Sequence, residues 1–280
     1  ATRAGRGAKW TNALRWDAIL LRDALKIPKG KRRFVGSMTD LWHDDAEPAM
    51  HEVLAEGISE IEPGRAAMFL TKRVENLLAA WREFRRGKRA RWDVQEFGLR
   101  LADNIFELHD DLAHHTYRHG PYQAFKVSDP KARDIHKATV RDRLLHRALY
   151  RALYPFFDRS FIADSYSCRQ GKGSHAALRR FRRLSYKVSK NGTRTCWVLK
   201  GDIRKCFARI DHAVLLSILR GYIADLRLLD LLEQVIGSFA SETPSVGLPL
   251  GNVTSQLLAN IYLNELDRFV KHSCHATHYV

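Results

Sequence analysis

Cysteine is scarce in this chain. Four occur in 280 residues, Cys168, Cys196, Cys206 and Cys274, and no two form a CxxC pair. That spacing argues against a disulfide scaffold and for a reducing compartment. No stretch approaches the roughly 18 consecutive apolar residues that cross a bilayer, and no basic-then-apolar leader opens the sequence. The expected location is the cytoplasm, with no membrane as partner. Acidic residues are also short: 31 Asp and Glu face 47 Lys and Arg, a formal net charge of +16. An excess of that sign attracts polyanions, because neutralising phosphates releases their condensed counterions. Nucleic acid is the leading partner, although a ribosome-like or membrane-surface protein shares the balance. The 45% hydrophobic content is ordinary for a globular protein with a core.

Residues 1–67 differ from the remainder of the chain. Pro28, Pro48 and Pro63 interrupt them, and Phe34 and Val35 come after a basic cluster as a short buried strand would. Residues 31–45 resemble part of a phage-associated family with a radical-SAM-like barrel. No iron–sulfur cysteine cluster accompanies that likeness, so no activity follows from it. Residues 1–67 read either as a fused or read-through remnant ahead of Met68 or as an extra N-terminal domain.

From Met68 to residue 120 the period is helical. Val74, Leu77, Leu78 and Trp81 recur at three-to-four spacing, as do Phe97, Leu101, Ile105, Leu108 and Leu112. Between these runs, Trp81 to Trp92 holds six basic residues and one acid. Arg85, Arg86, Lys88 and Arg89 are there either a solvated turn or, the reading favoured here, phosphate contacts flanked by aromatics. Gly120-Pro121 ends the section. Tyr122 to Val127, the Asp129-Pro130-Lys131 turn and a strand through Arg133 and Ile135 predict a hairpin. A helix follows with Leu144, Leu145, Ala148, Leu149 and Leu153 on its core face, closed by Pro155.

Residues 172–205 hold eleven Lys or Arg and a single acid, Asp202. Solvated faces mix signs, so this one-sided run points to a polyanion groove lined by Lys172, Arg179, Arg180, Arg182 and Arg183. Phe181, Tyr186 and Trp197, interleaved with the charges, read mostly as core. Cys196 to Leu199 is a short apolar run read as a buried strand, and Asp202 stands where it would emerge. Ile210-Asp211-His212 opens a helix with Asp211 as its cap and Val214, Leu215, Ile218 and Leu219 as its apolar face. Some forty residues on, Gly247-Leu248-Pro249-Leu250-Gly251 leads into a helix through Thr254 and Ser255.

Asp202-Ile203-Arg204-Lys205-Cys206-Phe207 and the segment from Gly247 to Leu263 resemble the first two palm motifs of bacterial reverse transcriptases. Residues 129–133, 141–143 and 164–175 resemble the fingers motifs of the same group. The resemblance covers roughly residues 68–280. It implies an α+β right-hand polymerase with a helical N-terminal section at 68–120, fingers at 121–199 and an incomplete palm without a thumb at 200–280. It implies that Asp202, assisted by the Ile203 carbonyl, binds Mg2+ as the catalytic carboxylate. Phe207 would crowd the 2′ position of the incoming sugar, the hydroxyl that separates RNA from DNA. Lys131 and Arg133 would grip the triphosphate. Arg169 would line the nucleotide or template pocket, with Gly251, Ser255 and Gln256 beside the templating base. The implied partners are template RNA, primer or product DNA, deoxynucleoside triphosphates and a small accessory protein.

Pro249-Leu250-Gly251 and Ser255-Gln256 resemble the enzymes of diversity-generating retroelements. Group II intron enzymes have Pro-Gln-Gly and Ser-Pro at these places. Family members continue past the His-Tyr-Val at 278–280 with a second carboxylate pair. The expectation is therefore that the chain as written is a fragment, inactive by itself. His272, Cys274, His275 and His278 could be offered as a zinc site, but four ligands inside seven residues need an awkward loop, and a helix end running into a strand is the preferred reading.

Overall fold

A computed structural model describes the backbone of residues 34–36 and residues 73–128 and 132–280. The expectations placed on 1–33, 37–72 and 129–131, Lys131 and the Met68 boundary among them, lie outside the described residues. The described residues divide into two units. One comprises 34–36, 160–206 and 260–280; the other comprises 73–128, 132–159 and 207–259.

The second unit is mainly helical. Helices α1 (Val74–Phe84), α2 (Trp92–Leu99) and α3 (Leu101–His114) form in the expected section. Their apolar periodicity sends Leu77, Trp81, Phe84, Val94, Ile105, Leu108 and Leu112 inside. Strands β2 (Gln123–Ser128) and β3 (Ala132–Lys137) pair antiparallel, with Phe125 opposite Ile135 and Ala124 opposite His136. Helix α4 (Val140–Ser160) buries Leu144, Leu145, Ala148, Leu149 and Leu153 as its spacing predicts.

Pro155 does not close α4, which continues to Ser160. An interior proline costs a backbone bond and on the order of 3 kcal/mol. Burial of Leu153, Tyr154 and Phe157 on either side of it, with Phe157 packed edge-on against Tyr222 at 5.5 Å, outweighs that cost.

In the first unit, β1 (Phe34–Gly36) runs parallel to β4 (Leu199–Gly201). Between α4 and β4 lies α5 (Ser174–Val188), which buries only Leu184 and Val188. The apolar run before Asp202 is not a buried strand. Residues 196–198 are irregular, Trp197 is 63% exposed, and β4 itself lies open. The aromatics of the basic stretch are likewise not core. Tyr186 and Trp197 are exposed and Phe181 is half-buried, because α5 has a single narrow apolar stripe and its long arginines occupy the remaining faces.

Back in the second unit, α6 (His212–Tyr222) begins at Asp211, whose carboxylate accepts from the Val214 amide at 3.0 Å as the cap reading requires. Helix α7 (Leu226–Gly237), capped the same way by Asp225, packs against α6. Helix α8 (Val253–Arg268) starts at the Pro/Gly loop and passes into the first unit at Asn260. A π-helical turn, Phe269–Ser273, follows it. The residues after that turn are irregular rather than a strand. There Val270 and Tyr279 pack with Ile162, Leu266 and Ala276, and the Tyr279 hydroxyl donates to Asp267.

Candidate active site

Asp202 follows β4 directly, and its side chain is exposed. Ile203 beside it is half-buried. These two oxygen donors have the right chemistry for magnesium, which prefers carboxylates and carbonyls. No group of three or more His, Cys, Asp or Glu that could hold a metal occurs among the described residues. The donor set is therefore too small to hold two ions, and no step through a metal follows from these residues.

Of the first unit's other candidates, Arg180 is paired with Asp164, a carboxylate only 8% exposed. Arg180 donates to it through Nε at 2.8 Å and Nη2 at 3.2 Å, and Lys271 through Nζ at 2.9 Å. Burial pushes the Asp164 carboxyl up, but these cationic donors outweigh it and hold it below the usual range. Arg169 is also turned inward. Its Nη1 donates to the Ile162 and Ser165 carbonyls at 2.8 and 3.1 Å, and its guanidinium lies 5.3 Å from the Phe161 ring. Lys172 donates to the Ala163 carbonyl and sits over Tyr166. Arg179, Arg182 and Arg183 point outward from α5, with Arg182 over the exposed Tyr186 ring. The basic run is thus of two kinds: inward cations that build the loop before α5, and outward ones that face solvent.

In the second unit the Pro/Gly loop acts as a strap. Gly247 and Leu248 donate their amides to the Ile210 and Phe207 carbonyls, each at 2.8 Å. His212 Nε2 lies 2.7 Å from the Gly247 carbonyl; a carbonyl only accepts, so that nitrogen carries the hydrogen. On its other side the strap meets β3. The His136 amide donates to Leu250 O, and Asn252 Nδ2 donates to His136 O, both at 3.1 Å. Gly251 has φ of +104°, and a Cβ there would stand 2.9 Å from Ile135 Cγ2. Close backbone approach to the hairpin is what a glycine provides here.

Phe207 in its short 3-10 turn is half-buried, as is Arg133 on β3. Gly251 is exposed, Gln256 is half-buried, and Ser255 is 2% exposed at the start of α8. Arg133, Phe207, Gly251, Ser255 and Gln256 all lie in the second unit.

The basic turn between α1 and α2 lies in the same unit. Arg86 and Arg89 are exposed, whereas Arg85 is half-buried. Lys88 donates to the Phe84 carbonyl at 3.0 Å. Burial, and then Arg147, Arg91 and Arg143, push its ammonium below the ordinary lysine range.

Sequence reasoning misses the buried polar groups that hold these parts. Tyr117 donates to Asp142 at 2.8 Å, and Asp142 also accepts from Thr139 Oγ1 at 2.6 Å and from the Gly120 amide at 3.1 Å. His119 and His146 stack with ring nitrogens 3.3 Å apart. Nothing in the spacing marks Asn252 or Asp164 as an anchor either. Single polar residues inside motifs or apolar faces leave no periodic trace.

Residues 126–280 match the family model described as reverse transcriptase (RNA-dependent DNA polymerase). That is more than half of the chain, and the protein belongs to that family. It is 33% identical over 183 residues to Protein YkfC of Escherichia coli (strain K12), covering 61% of this chain and 46% of that one. It is 30% identical over 176 residues to the group II intron-encoded protein LtrA of Lactococcus lactis subsp. cremoris, covering 60% and 28%. The chain thus spans less than half the length of either relative. Its fold is similar to a chain of a partial Cas6-RT-Cas1–Cas2 complex, with a TM-score of 0.51 at 21% identity, covering 73% of this chain and 35% of that one. The α+β reverse-transcriptase fold expected from the motifs is the fold observed. Among the described residues no helix is long and apolar enough to cross a membrane.

Proposed function

We propose that the protein belongs to an enzyme that synthesises DNA on an RNA template, joining a primer 3′-hydroxyl to the α-phosphate of a deoxynucleoside triphosphate with release of pyrophosphate. The observation that carries this reading is the strap, hydrogen-bonded to Phe207 on one side and to the strand bearing Arg133 on the other. Such chemistry depends on positioning and charge neutralisation more than on covalent help from protein. In this reading Asp202, with the Ile203 carbonyl, would supply part of the oxygen ligation of a magnesium ion, not the whole of it. Phe207 excludes a ribose 2′-hydroxyl, and Lys131, Arg133 and Arg169 serve the nucleotide. Gly251, Ser255 and Gln256 serve the template–nucleotide pair, and the outward arginines hold nucleic acid. An accessory protein is a further proposed partner; the structural neighbour is itself part of a multi-protein complex.

Leu250 and the Ser255-Gln256 pair favour a diversity-generating retroelement, because Leu250 offers no side-chain hydrogen bonds for checking a base pair. A second reading, a group II intron protein that also binds intron RNA, is favoured by the likeness to LtrA.

The test is primer extension by the whole protein encoded by the gene, on a defined RNA template, with product sequencing. Misincorporation concentrated at template adenines supports the first reading. Accurate copying with tight intron-RNA binding supports the second. Asp202→Asn is expected to reduce synthesis about a thousandfold or more, the rate equivalent of several kcal/mol of transition-state stabilisation. The melting temperature should not change, because the wild-type side chain is exposed. A folded protein that incorporates no deoxynucleotide on RNA overturns both enzyme readings and leaves a polymerase-derived nucleic-acid-binding protein.

A further inference from the structure

Building on the polymerase reading, we infer that Asn252 is a positioning residue that fixes the distance between the triphosphate-binding hairpin and the template loop, and so sets affinity for the incoming nucleotide. The two backbone groups of one strand residue point to the same side. His136 gives both of its groups to the strap: its N–H to Leu250 and its C=O to Asn252. That position therefore lies between rungs of the β2–β3 ladder, and the strap supplies a one-residue extension of the hairpin.

Asn252 makes the side-chain half of that joint. It is 3% exposed, and a buried amide is costly unless it is hydrogen-bonded. Its nitrogen is satisfied by His136 O. Its oxygen is sealed from solvent without a well-aligned bond, and the buried His146 ring of α4 lies beside it. The His136 ring is fixed in turn by edge-on packing against Phe239, 4.7 Å between centroids.

Asn252 thus touches β3, α4 and the strap at once. Its neighbours are Gly251, pressed onto Ile135, and Val253, the first residue of α8. Asn252 itself is not placed against substrate. It acts through Arg133, three residues before His136 on the same strand, and through Gly251.

A second buried asparagine provides the contrast. Asn264 is also 3% exposed and donates through Nδ2 to a backbone carbonyl, that of Ser160, at 3.5 Å. It belongs to the first unit, whereas the strap belongs to the second. If buried asparagines only stabilise, the two should behave alike.

The experiment uses the full-length protein with poly(rA), an oligo(dT) primer and dTTP, comparing wild type, Asn252→Asp, Asn252→Ala and Asn264→Ala. Asn252→Asp keeps the shape but turns an acceptor toward the His136 carbonyl. Both Asn252 variants are expected to raise the dTTP KM about tenfold, the equivalent of one buried hydrogen bond lost. Their kcat should stay within about threefold of wild type, since the reacting groups remain in place. Hydrogen exchange at the His136 amide should accelerate in both. Asn264→Ala should lower the melting temperature and leave the dTTP KM and the His136 exchange unchanged.

An unchanged KM in the Asn252 variants, or an unchanged His136 exchange rate, overturns the inference. So does an equal rise in KM in Asn264→Ala. If wild type incorporates no dTTP, the polymerase reading fails and the exchange arm alone decides the joint: acceleration upholds it and no change overturns it.

Discussion

Arg180 grips both oxygens of Asp164, Nε to Oδ1 at 2.8 Å and Nη2 to Oδ2 at 3.2 Å, on a carboxylate that Lys271 also holds. A forked pair of this kind is among the stronger side-chain interactions and is geometrically selective. It separates Arg180 from Arg179, Arg182 and Arg183, which sit on the same helix and extend into solvent. Identical residue types a few positions apart thus have different work.

The expected outcome is a split between two measurements. Arg179→Gln, Arg182→Gln and Arg183→Gln should each weaken RNA binding and reduce the slope of log affinity against log salt by about 0.7–1, one phosphate contact apiece. Their melting temperatures should not move. Arg180→Gln should instead cost about 1–3 kcal/mol of stability, because a mostly buried carboxylate loses its forked donor, with little change in salt slope. Salt titrations of RNA binding and thermal melts on the four variants check this. Equal slopes lost at all four positions would place Arg180 on the nucleic acid after all.

Gly251→Ala should be among the most damaging single-methyl changes in the second unit. Its φ of +104° is strained for an alanine, and the added carbon would stand 2.9 Å from Ile135 Cγ2, a branched side chain held in the hairpin. Strain of that type costs of order 1–3 kcal/mol before any overpacking is added. Gly87, with φ of +65° and nothing within 4 Å of its missing Cβ, isolates the conformational part. Gly87→Ala is expected to cost about 1 kcal/mol. Denaturant unfolding of both variants checks the difference, and equal losses would show that the approach to Ile135 is not tight.

Periodicity alone makes much of this fold legible. Leu77, Trp81, Ile105, Leu108 and Leu112 fall inside as their spacing requires, and so do five residues of α4. Turn residues mark the hairpin through Val127 and Arg133, and Phe34–Gly36 does form a strand. A carboxylate at the start of an apolar stripe marks the Asp211 cap. Helix α7 escapes notice although its apolar pattern is strong, because no chemical motif draws attention to it. Pro155 misleads because burial on both sides outweighs a local rule. Trp197 and Tyr186 mislead because hydrophobicity does not say which rings a neighbouring element covers. Within the candidate site, the motif marks Phe207 and Gly251, yet the joint between them and the hairpin depends on backbone groups and one asparagine. Backbone hydrogen bonds between segments a hundred residues apart leave no mark in composition or spacing.

His146 gives the pH dependence. It lies on α4, fully enclosed, facing His119, Asp142, Arg143 and Asn252. Burial first, then His119 and also Arg143, push its imidazole down to about 3, while Asp142 and Asn252 pull the other way. An ordinary histidine titrates near 6.5. As pH falls through about 6.5 the unfolded chain takes up a proton on this ring, and the folded chain does not until about 3. Throughout that window the unfolded state binds more protons, so stability falls with acidification, by up to about 1.4 kcal/mol per pH unit from this one group. Between pH 6.5 and 5 the loss should approach about 2 kcal/mol. His146→Gln, which cannot titrate, should be less stable at pH 7.5 because it disturbs the packing, yet should lose less on going to pH 5. Urea unfolding of both proteins at the two pH values reads the difference directly. Parallel losses would assign the acid sensitivity to another group.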